Sequence, residues 1–329
     1  MKLYPMKIVP ETEENPWGGD RIYREFGIGN FDEPRGKALL VSTHAKVENG
    51  EFAGLTVNQL ASRFGEELLG RDKKTFPYTL KLVDSHARRT PRQRHSLRMA
   101  GMFEHYDVML MLHAEPGSGI YAGLRDKLDR EEFIRRAGDR DLYRSMHFYP
   151  ARRGELFLLP GGLLHAQGGG VMSLVLSVGV DEKKNEDDLK AEDLWEVLDP
   201  TIRGIKYAGK TRVDGDAEVW KTEFGTGLTW WEVRLNGERI EQNHEKISVL
   251  FVLDGLGEVT LDGETLPLRR GDTILVPAQA EEIALSGEMI YCYFASCFSP
   301  KIVFGKNHTT RVILPFLFFK ICGKIEVNI

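Results

Sequence analysis

Two stretches of the sequence repeat each other, and this repeat constrains the fold more than any other feature. RRGELFLLP (residues 152–160) and RRGDTILVP (residues 269–277) share five of nine residues, and Glu155 is replaced by the similar Asp272. Each copy has a glycine-acid turn, a short apolar strand and a proline stop. The copies lie 117 residues apart, a typical domain length. Chance similarity between turn sequences is the alternative, but the pattern favours a duplicated β-domain.

Short apolar runs elsewhere in the chain predict more strands. These runs are bounded by Gly, Pro and Asp, and they cover residues 80–83, 108–112, 155–159, 171–180, 247–253 and 273–276. Closely spaced short strands are typical of a β-sandwich or barrel. Three helices are predicted between them, at residues 57–70 after a Thr56 cap, 126–146 and 188–198. The sequence therefore predicts a mainly β fold with helical insertions.

Composition excludes several classes of protein. The 329 residues include 44 basic and 49 acidic side chains, a net charge of −5 that argues against a nucleic-acid partner. No apolar stretch approaches the 18 or so residues that span a bilayer, so no membrane partner is expected. The three cysteines all lie in the last forty residues and form no disulfide framework. A reducing, cytoplasmic location is expected.

The first repeat continues into a metal-binding pattern. Gly154, Pro160, Gly162 and His165 have the spacing of the second motif of the cupin β-barrel, which directs the histidine into the barrel. Upstream, Gln93 and His95 are two residues apart and share a face on a strand, and Glu104 precedes a strand. Together with His165, these residues form a nitrogen and oxygen ligand set. Such a set suits one divalent metal, with zinc expected and cobalt, manganese, iron or nickel possible.

These motifs resemble the class I mannose-6-phosphate isomerases in their short two-cupin form, over the chain to about residue 298. Pro16-Trp17-Gly18-Gly19 is similar to the family's Trp-Gly-Gly motif, and Phe76-Pro77 with Lys81 is similar to its Phe-Pro-x-x-x-Lys strand. PGGLLHAQGGGV, which contains His165, resembles the segment that ends the family's metal set. Gln93-x-His95 lacks the proline that follows in the family.

The resemblance implies an activity and two pocket residues. Members of the family interconvert mannose 6-phosphate and fructose 6-phosphate, so a sugar phosphate is the expected small-molecule partner. Trp17 is expected to line the pocket, and Lys81 to act as the catalytic residue that polarises an oxygen or helps to move a proton. A metal that holds the substrate oxygens would stabilise the enediolate. The resemblance implies no oligomeric state.

The sequence departs from the family at positions around the substrate. Met102 and Lys37 stand where the family has lysine and glutamate, and no arginine follows the strand near Val180. Arg125 is among the basic residues that could bind the phosphate instead. Two alternative functions therefore stay open: a metal-containing cupin that binds or senses sugars or sugar phosphates without isomerising them, and an isomerase or epimerase for another sugar.

Only the first repeat retains metal ligands. In the second copy, Gln279 replaces the second glycine and Glu282 takes the place of the histidine. The predicted organisation is a metal-binding cupin domain at residues 1–205 and a metal-free cupin domain at residues 206–298. Residues 299–329 form a tail whose role the sequence does not assign.

Overall fold

The computed structural model of the protein describes residues 2–30, 35–71, 73–86, 106–139, 141–179, 190–202, 205–207, 210–213, 217–224, 227–243 and 245–296. Its strands are β1 Met6–Lys7, β2 Glu11–Glu13, β3 Lys37–Val41, β4 Tyr78–Ser85, β5 Tyr106–Ala114, β6 Gly119–Leu124, β7 Met146–Pro150, β8 Leu156–Pro160, β9 His165–Gln167, β10 Val171–Val178, β11 Ile205–Tyr207, β12 Thr211–Val213, β13 Glu218–Glu223, β14 Leu228–Gln242, β15 Ser248–Leu261, β16 Glu264–Arg269, β17 Thr273–Val276 and β18 Glu282–Ser296. The helices are α1 Arg21–Phe26, α2 Val57–Phe64, α3 Glu66–Leu69, α4 Arg130–Gly138 and α5 Ala191–Val197, with 3-10 turns at Gly50–Phe52 and Leu142–Ser145.

The first unit is built from two sheets that face each other. Seven strands pair in the order β11-β8-β5-β10-β4-β3-β2, and three more pair as β7-β6-β9. Met109, Phe157 and Val175 of the larger sheet form one apolar cluster with Ile120 and Ala122 of the smaller sheet. The inner face of this unit is therefore the face that carries the odd-numbered residues of β4, β5, β8 and β10.

The second unit is one eight-stranded sheet in the order β1-β17-β15-β18-β14-β13-β12, with β16 paired to β15. Gly237, Gly287 and Gly257 lie side by side on its three long strands, β14, β18 and β15. A Cβ on Gly287 would lie 2.5 Å from the Cα of Gly257, and its φ is +125°. A row of glycines at this level lets long strands bend so that they can enclose a core.

The two repeats fold into the same turn, which supports the predicted duplication. Arg152 N donates to Glu155 Oε2 at 2.9 Å, and Arg269 N donates to Asp272 Oδ2 at 2.9 Å. In both copies the acidic residue returns its own N–H to the arginine carbonyl, at 3.1 and 3.0 Å. Gly154 and Gly271 take positive φ values of 83° and 91° in these turns, a conformation that glycine adopts readily. Each turn leads directly into a buried strand, β8 or β17.

All three predicted helices are shorter than the sequence pattern indicated. Thr56 caps α2 through a capping box with Gln59, as predicted, but Gly65 breaks the helix before α3 begins. The helix predicted at 126–146 is restricted to α4: Asp129 caps its start by accepting from Glu132 N, and Leu142–Ser145 form a 3-10 turn instead. The helix predicted at 188–198 appears as α5, Ala191–Val197.

The two units are joined by a shared core and by the first strand. Buried residues of both sheets form one apolar cluster, in which Tyr78 of β4 contacts Phe294 of β18 edge to face at 5.6 Å. β1 pairs with β17, with Met6 opposite Leu275, so residues near the start of the chain belong to the second sheet. The predicted boundary at residues 205 and 206 remains a prediction, and the proposed tail lies outside the described residues. No helix in the described ranges is long and apolar enough to cross a membrane.

Candidate metal centre and active site

Polar side chains form a row across the inner face of the first unit. Asp107 of β5 lies opposite Ser177 of β10, which in turn lies opposite Thr79 of β4. All three are buried, with 2%, 0% and 7% of their surface exposed. Lys81, half-buried, is two residues further along β4 on the same face. A strand spacing of about 4.8 Å and a rise of about 3.3 Å per residue place the Cα atoms of Lys81 and Asp107 about 12 Å apart.

His165 points toward this row from the opposite sheet. It begins β9, where it pairs with Ala122 of the inner cluster, and it is 6% exposed. Its Nδ1 lies 3.0 Å from the carbonyl oxygen of Leu163. Because a carbonyl can only accept, this contact assigns a proton to Nδ1, and in the neutral imidazole the lone pair is then on Nε2. His165 therefore presents a fixed, buried nitrogen donor, as a metal-binding histidine does.

The carboxylate of Asp107 lies close to that donor. Oδ2 of Asp107 lies 3.6 Å from Nε2 of His165. The two residues line a cleft together with Tyr106, Leu159 and the turn that contains Gly162. Gly162 has φ of +81°, so the turn between β8 and β9 uses a conformation that favours glycine. The Pro-x-Gly-x-x-His spacing thus has a local cause: the turn brings His165 back across the inner face.

Gln167 fixes β9 against the larger sheet. Its Nε2 donates to Ser85 Oγ at 2.9 Å, to Val171 O at 2.9 Å and to Val83 O at 3.2 Å. Its Oε1 accepts from Ser173 Oγ at 2.6 Å. A satisfied polar network of this kind orients the strand that it joins. It therefore helps to position His165 two residues earlier.

Three of the four predicted ligands, Gln93, His95 and Glu104, lie outside the described residues. Within the ranges that the structure describes, no group of three or more His, Cys, Asp or Glu side chains is arranged to hold a metal. His165 fits a metal by its burial and its fixed tautomer, and imidazole is a common zinc ligand. The assignment of all four ligands stays a prediction.

Trp17 is buried in a close contact between loops. It is 3% exposed, and a Cβ on Gly36 would lie 2.8 Å from its ring. Its carbonyl accepts from His86 N at 3.0 Å. The two following glycines are also tightly packed: a Cβ on Gly18 would lie 2.3 Å from Gly36 N, and one on Gly19 would lie 2.1 Å from Asp84 Oδ2. Packing thus explains the Trp-Gly-Gly pattern, and a pocket role for Trp17 stays a prediction.

Asp84 anchors the same region from the opposite face of β4. It is fully buried, and Arg21 binds it through its side chain at 2.7 Å and its backbone N–H at 2.9 Å. Burial raises the pKa of Asp84, and the charge and hydrogen bonds of Arg21 oppose that rise. The guanidinium also reaches Glu115 at 2.8 Å. This ion pair holds α1 against β4.

Lys37 and Arg125, the two other basic residues identified in the sequence, lie in different environments. Lys37 lies on the inner face of β3, opposite Val83, and its ammonium is 3.5 Å from Glu13. Arg125 lies at the surface just after β6, where it binds Asp126 at 3.0 Å and the carbonyl of Arg144 at 2.7 Å. Lys37 therefore shares a face with Lys81, whereas the guanidinium of Arg125 is already engaged. The phosphate role of Arg125 stays a prediction.

Sequence reasoning did not identify Asp107 or Gln167 as members of the site. The sequence did contain a signal for Asp107: it lies two and four residues before Met109 and Met111 on the same strand, so it belongs to the same buried face. A carboxylate on a buried strand face is uncommon unless it is paired or bound to a metal. Gln167 gave no such signal, because its role depends on three strands that meet only in the fold.

Comparison with known proteins finds similarity to the mannose-6-phosphate isomerases. Residues 227–293 match the family model described as mannose-6-phosphate isomerase, cupin domain. A mannose-6-phosphate isomerase from Streptococcus mutans is 24% identical over 309 residues, covering 87% of this chain and 96% of that protein. The chain is similar to the mannose-6-phosphate isomerases over most of its length. The resemblance stated from the sequence motifs is therefore confirmed.

Solved structures of the family have the same fold. The crystal structure of mannose 6-phosphate isomerase from Bacillus subtilis superimposes with a TM-score of 0.73 at 19% identity, over 89% of this chain and 99% of that one. A zinc-bound mannose 6-phosphate isomerase has a TM-score of 0.64 at 11% identity, over 89% and 100% of the chains. The predicted cupin β fold is confirmed. The family model matches β14 to β18, so that match is independent of the metal ligands.

Proposed function

We propose that this chain is a metal-dependent aldose–ketose isomerase that interconverts mannose 6-phosphate and fructose 6-phosphate. The observation that carries the proposal is the buried His165, whose Nε2 faces the polar inner row in a chain related over most of its length to these isomerases. The names of the relatives support an isomerase rather than a cupin that only senses sugars.

The reaction moves a carbonyl between C1 and C2 of the sugar, so a proton must leave one carbon and be delivered to the other. Lys81 is the residue proposed to assist, because it lies on the inner face of β4, two residues along from Thr79 in the row that contains Asp107. A positioned cation can donate a hydrogen bond to the oxygen on which negative charge develops. The apolar cluster formed by Met109, Phe157 and Val175 excludes water beneath that position.

A divalent metal is part of the proposal, with zinc as the expected ion. His165 fits such a group by its fixed tautomer, and Gln93, His95 and Glu104 are proposed to complete the ligand set. When bound, the metal supplies electrostatic stabilisation of the enediolate oxygens. Lys81 and the buried hydroxyls of Thr79 and Ser177 then orient the sugar from the sheet side.

A coupled assay on zinc-loaded protein tests the proposal. Wild-type protein should convert mannose 6-phosphate to fructose 6-phosphate, and Lys81→Met should lower kcat by about 10²–10⁴-fold, the usual contribution of a positioned acid or base. Lys221→Met is the matched control, because Lys221 lies on β13 of the second sheet and contacts Glu223. Absence of turnover by metal-loaded wild-type protein would contradict the function.

The same preparation separates the alternatives. Calorimetric binding of a sugar phosphate without turnover would indicate a sensor, and turnover of another sugar in a substrate panel would indicate a different isomerase or epimerase. Trp17 and Arg125 are proposed as substrate-binding residues, to be tested by the KM of Trp17→Leu and Arg125→Ala. We also propose a cytoplasmic location, which is supported by the buried free thiol of Cys292.

A further inference from the structure

The repeat allows positions in the second unit to be matched with those of the cleft in the first. In the first unit, Asp107 lies opposite Leu159, the residue before Pro160. Leu159 corresponds to Val276 in the repeat, and Val276 lies opposite Ser248. Ser248 is therefore the counterpart of Asp107 in the second unit.

The turns that follow the two repeats also match. The N–H groups of Leu163 and Ala280 each donate to the carbonyl of the proline three residues earlier, at 3.2 and 3.1 Å. In the first unit, the carbonyl oxygen of Leu163 lies 3.0 Å from Nδ1 of His165. In the second unit, the carbonyl oxygen of Ala280 accepts from Nδ2 of Asn243, also at 3.0 Å. Asn243 thus makes the contact that His165 makes in the first unit.

The side chain of Asn243 joins this turn to the interior of the second unit. Its Nδ2 also donates to the carbonyl of Pro277 at 2.8 Å, and its Oδ1 accepts from Ser248 Oγ at 2.5 Å and from the Tyr293 hydroxyl at 2.7 Å. Both N–H groups and both lone pairs of the amide are therefore used. Asn243 is 1% exposed, so protein atoms fill this position. A satisfied, buried network of this kind is rigid.

The same turn holds the end of α3 from the first unit. Ala278 N donates to the carbonyl of Leu68 at 3.0 Å, and Gln279 N donates to the carbonyl of Glu67 at 2.9 Å. The last carbonyls of a helix have no partner within the helix, so these two N–H groups cap α3 from the second unit. Leu68 and Leu69 are fully buried.

Gly70, which ends α3, extends the contact. It forms a β-bridge with Lys246, and its φ is +88°. A Cβ on Gly70 would lie 2.7 Å from the carbonyl oxygen of Glu245 and 3.5 Å from Cβ of Ala278. Only a residue without a side chain fits between the two units at this point.

We infer that the turn at residues 277–280 is an internal docking surface for the end of α3, and that Asn243 keeps this turn in the shape that receives the helix. The position that corresponds to the cleft of the first unit thus serves in the second unit as a joint between the two. The inference goes beyond the proposed function and depends on neither a metal nor isomerase activity.

Amide hydrogen exchange of the full-length protein tests the joint through Asn243. Asn243→Asp keeps the shape of the side chain but loses the N–H groups that bind two buried carbonyls. The amides of Ala278 and Gln279 should therefore exchange about 10–100-fold faster. Amides of β10, which pairs on both sides with β4 and β5, should keep wild-type rates. Asn236→Asp is the matched control, because Asn236 is exposed on the same strand as the residues that precede Asn243, and it should exchange as the wild type does.

Two results in Asn243→Asp would overturn the inference. Wild-type rates at Ala278 and Gln279 would mean that the turn keeps its shape without the amide. Equal acceleration in β10 would mean that Asn243 supports the whole fold and not the joint. If Asn243→Asp does not fold, Tyr293→Phe and Ser248→Ala each remove one hydrogen bond to Oδ1 and should accelerate the same two amides; unchanged rates in both would overturn the inference.

A pair of glycine substitutions tests the joint from the side of α3. Gly70→Ala places a Cβ against the carbonyl of Glu245 and should accelerate exchange at Ala278 and Gln279. Gly54→Ala is the matched control: its φ is +85°, and among the described residues none beyond its chain neighbours has an atom within 4 Å of the Cβ position. It introduces similar backbone strain without touching the joint, so both amides should keep wild-type rates. Equal effects of the two substitutions, or no effect of Gly70→Ala, would overturn the inference.

Discussion

Phe294 is the position where loss of a single side chain should show whether the two units unfold together. It is fully buried, stacks on Trp230 at 5.4 Å within the second sheet and contacts Tyr78 of the first sheet at 5.6 Å. Burial of an aromatic side chain removes about 150–250 Å² from water. At about 25 cal/mol per Å², this corresponds to about 4–6 kcal/mol. Phe→Ala substitutions in cores cost about 3–5 kcal/mol, so we expect Phe294→Ala to lose about 4 kcal/mol.

Urea unfolding of the metal-free protein measures this loss. Fluorescence and far-UV circular dichroism should give one coincident transition for wild type and for Phe294→Ala, with the variant shifted to lower urea. Leu256→Ala is the control: Leu256 is 68% exposed, so its free energy of unfolding should change by less than about 0.5 kcal/mol. A double-mutant cycle with Tyr78→Ala should give a coupling energy of about 0.5–1.5 kcal/mol between the two rings.

Two results would refute this reasoning. A loss below about 1 kcal/mol would mean that the core closes around the missing ring far better than cores usually do. Two separate transitions, of which only one moved in Phe294→Ala, would mean that the shared cluster does not couple the units and that each barrel is its own cooperative unit.

Three further outcomes follow from the structure. Gln167→Leu should lose about 1–3 kcal/mol in urea unfolding, because Ser173 and Ser85 then lose their partner; a loss below about 0.5 kcal/mol would contradict the network. Thr56→Ala should lose about 1 kcal/mol through its capping box, and Thr56→Ser, which retains the hydroxyl, should recover most of it. Burial raises the pKa of Glu232, and the charge of Lys210 opposes that rise. The folded state therefore binds more protons than the unfolded chain at pH values between about 4.3 and the raised pKa. The unfolding free energy of wild type relative to Glu232→Gln should therefore rise as pH falls through that interval, and a flat difference would count against it.

Local signals in the sequence predicted most strands and helices, but the arrangement of the candidate site depends on contacts between segments that are distant in sequence. Residues 273–276 were predicted as a strand and form β17, because the Gly271 turn and the proline that follows are local features. The helix predicted at 126–146 was too long, because Asp129 caps α4 within that pattern and the chain after α4 forms a 3-10 turn and then β7. His165 could be predicted because its turn is local. The contact between Asp107 and His165 could not, because 58 residues separate them and only the pairing of β5, β8 and β9 with their neighbours brings the two sheets together.

The pairing of β1 with β17 determines when the second sheet can be completed during synthesis of the chain. Residues 6 and 7 leave the ribosome before their partners Leu275 and Ile274, which follow some 267 residues later. At about 5–20 residues per second, the partners appear roughly 15–50 s afterwards. During that time Met6, which is fully buried in the finished protein, has no strand to pair with. The second sheet therefore reaches its full set of strands only after β17 has been synthesised and has paired with β1.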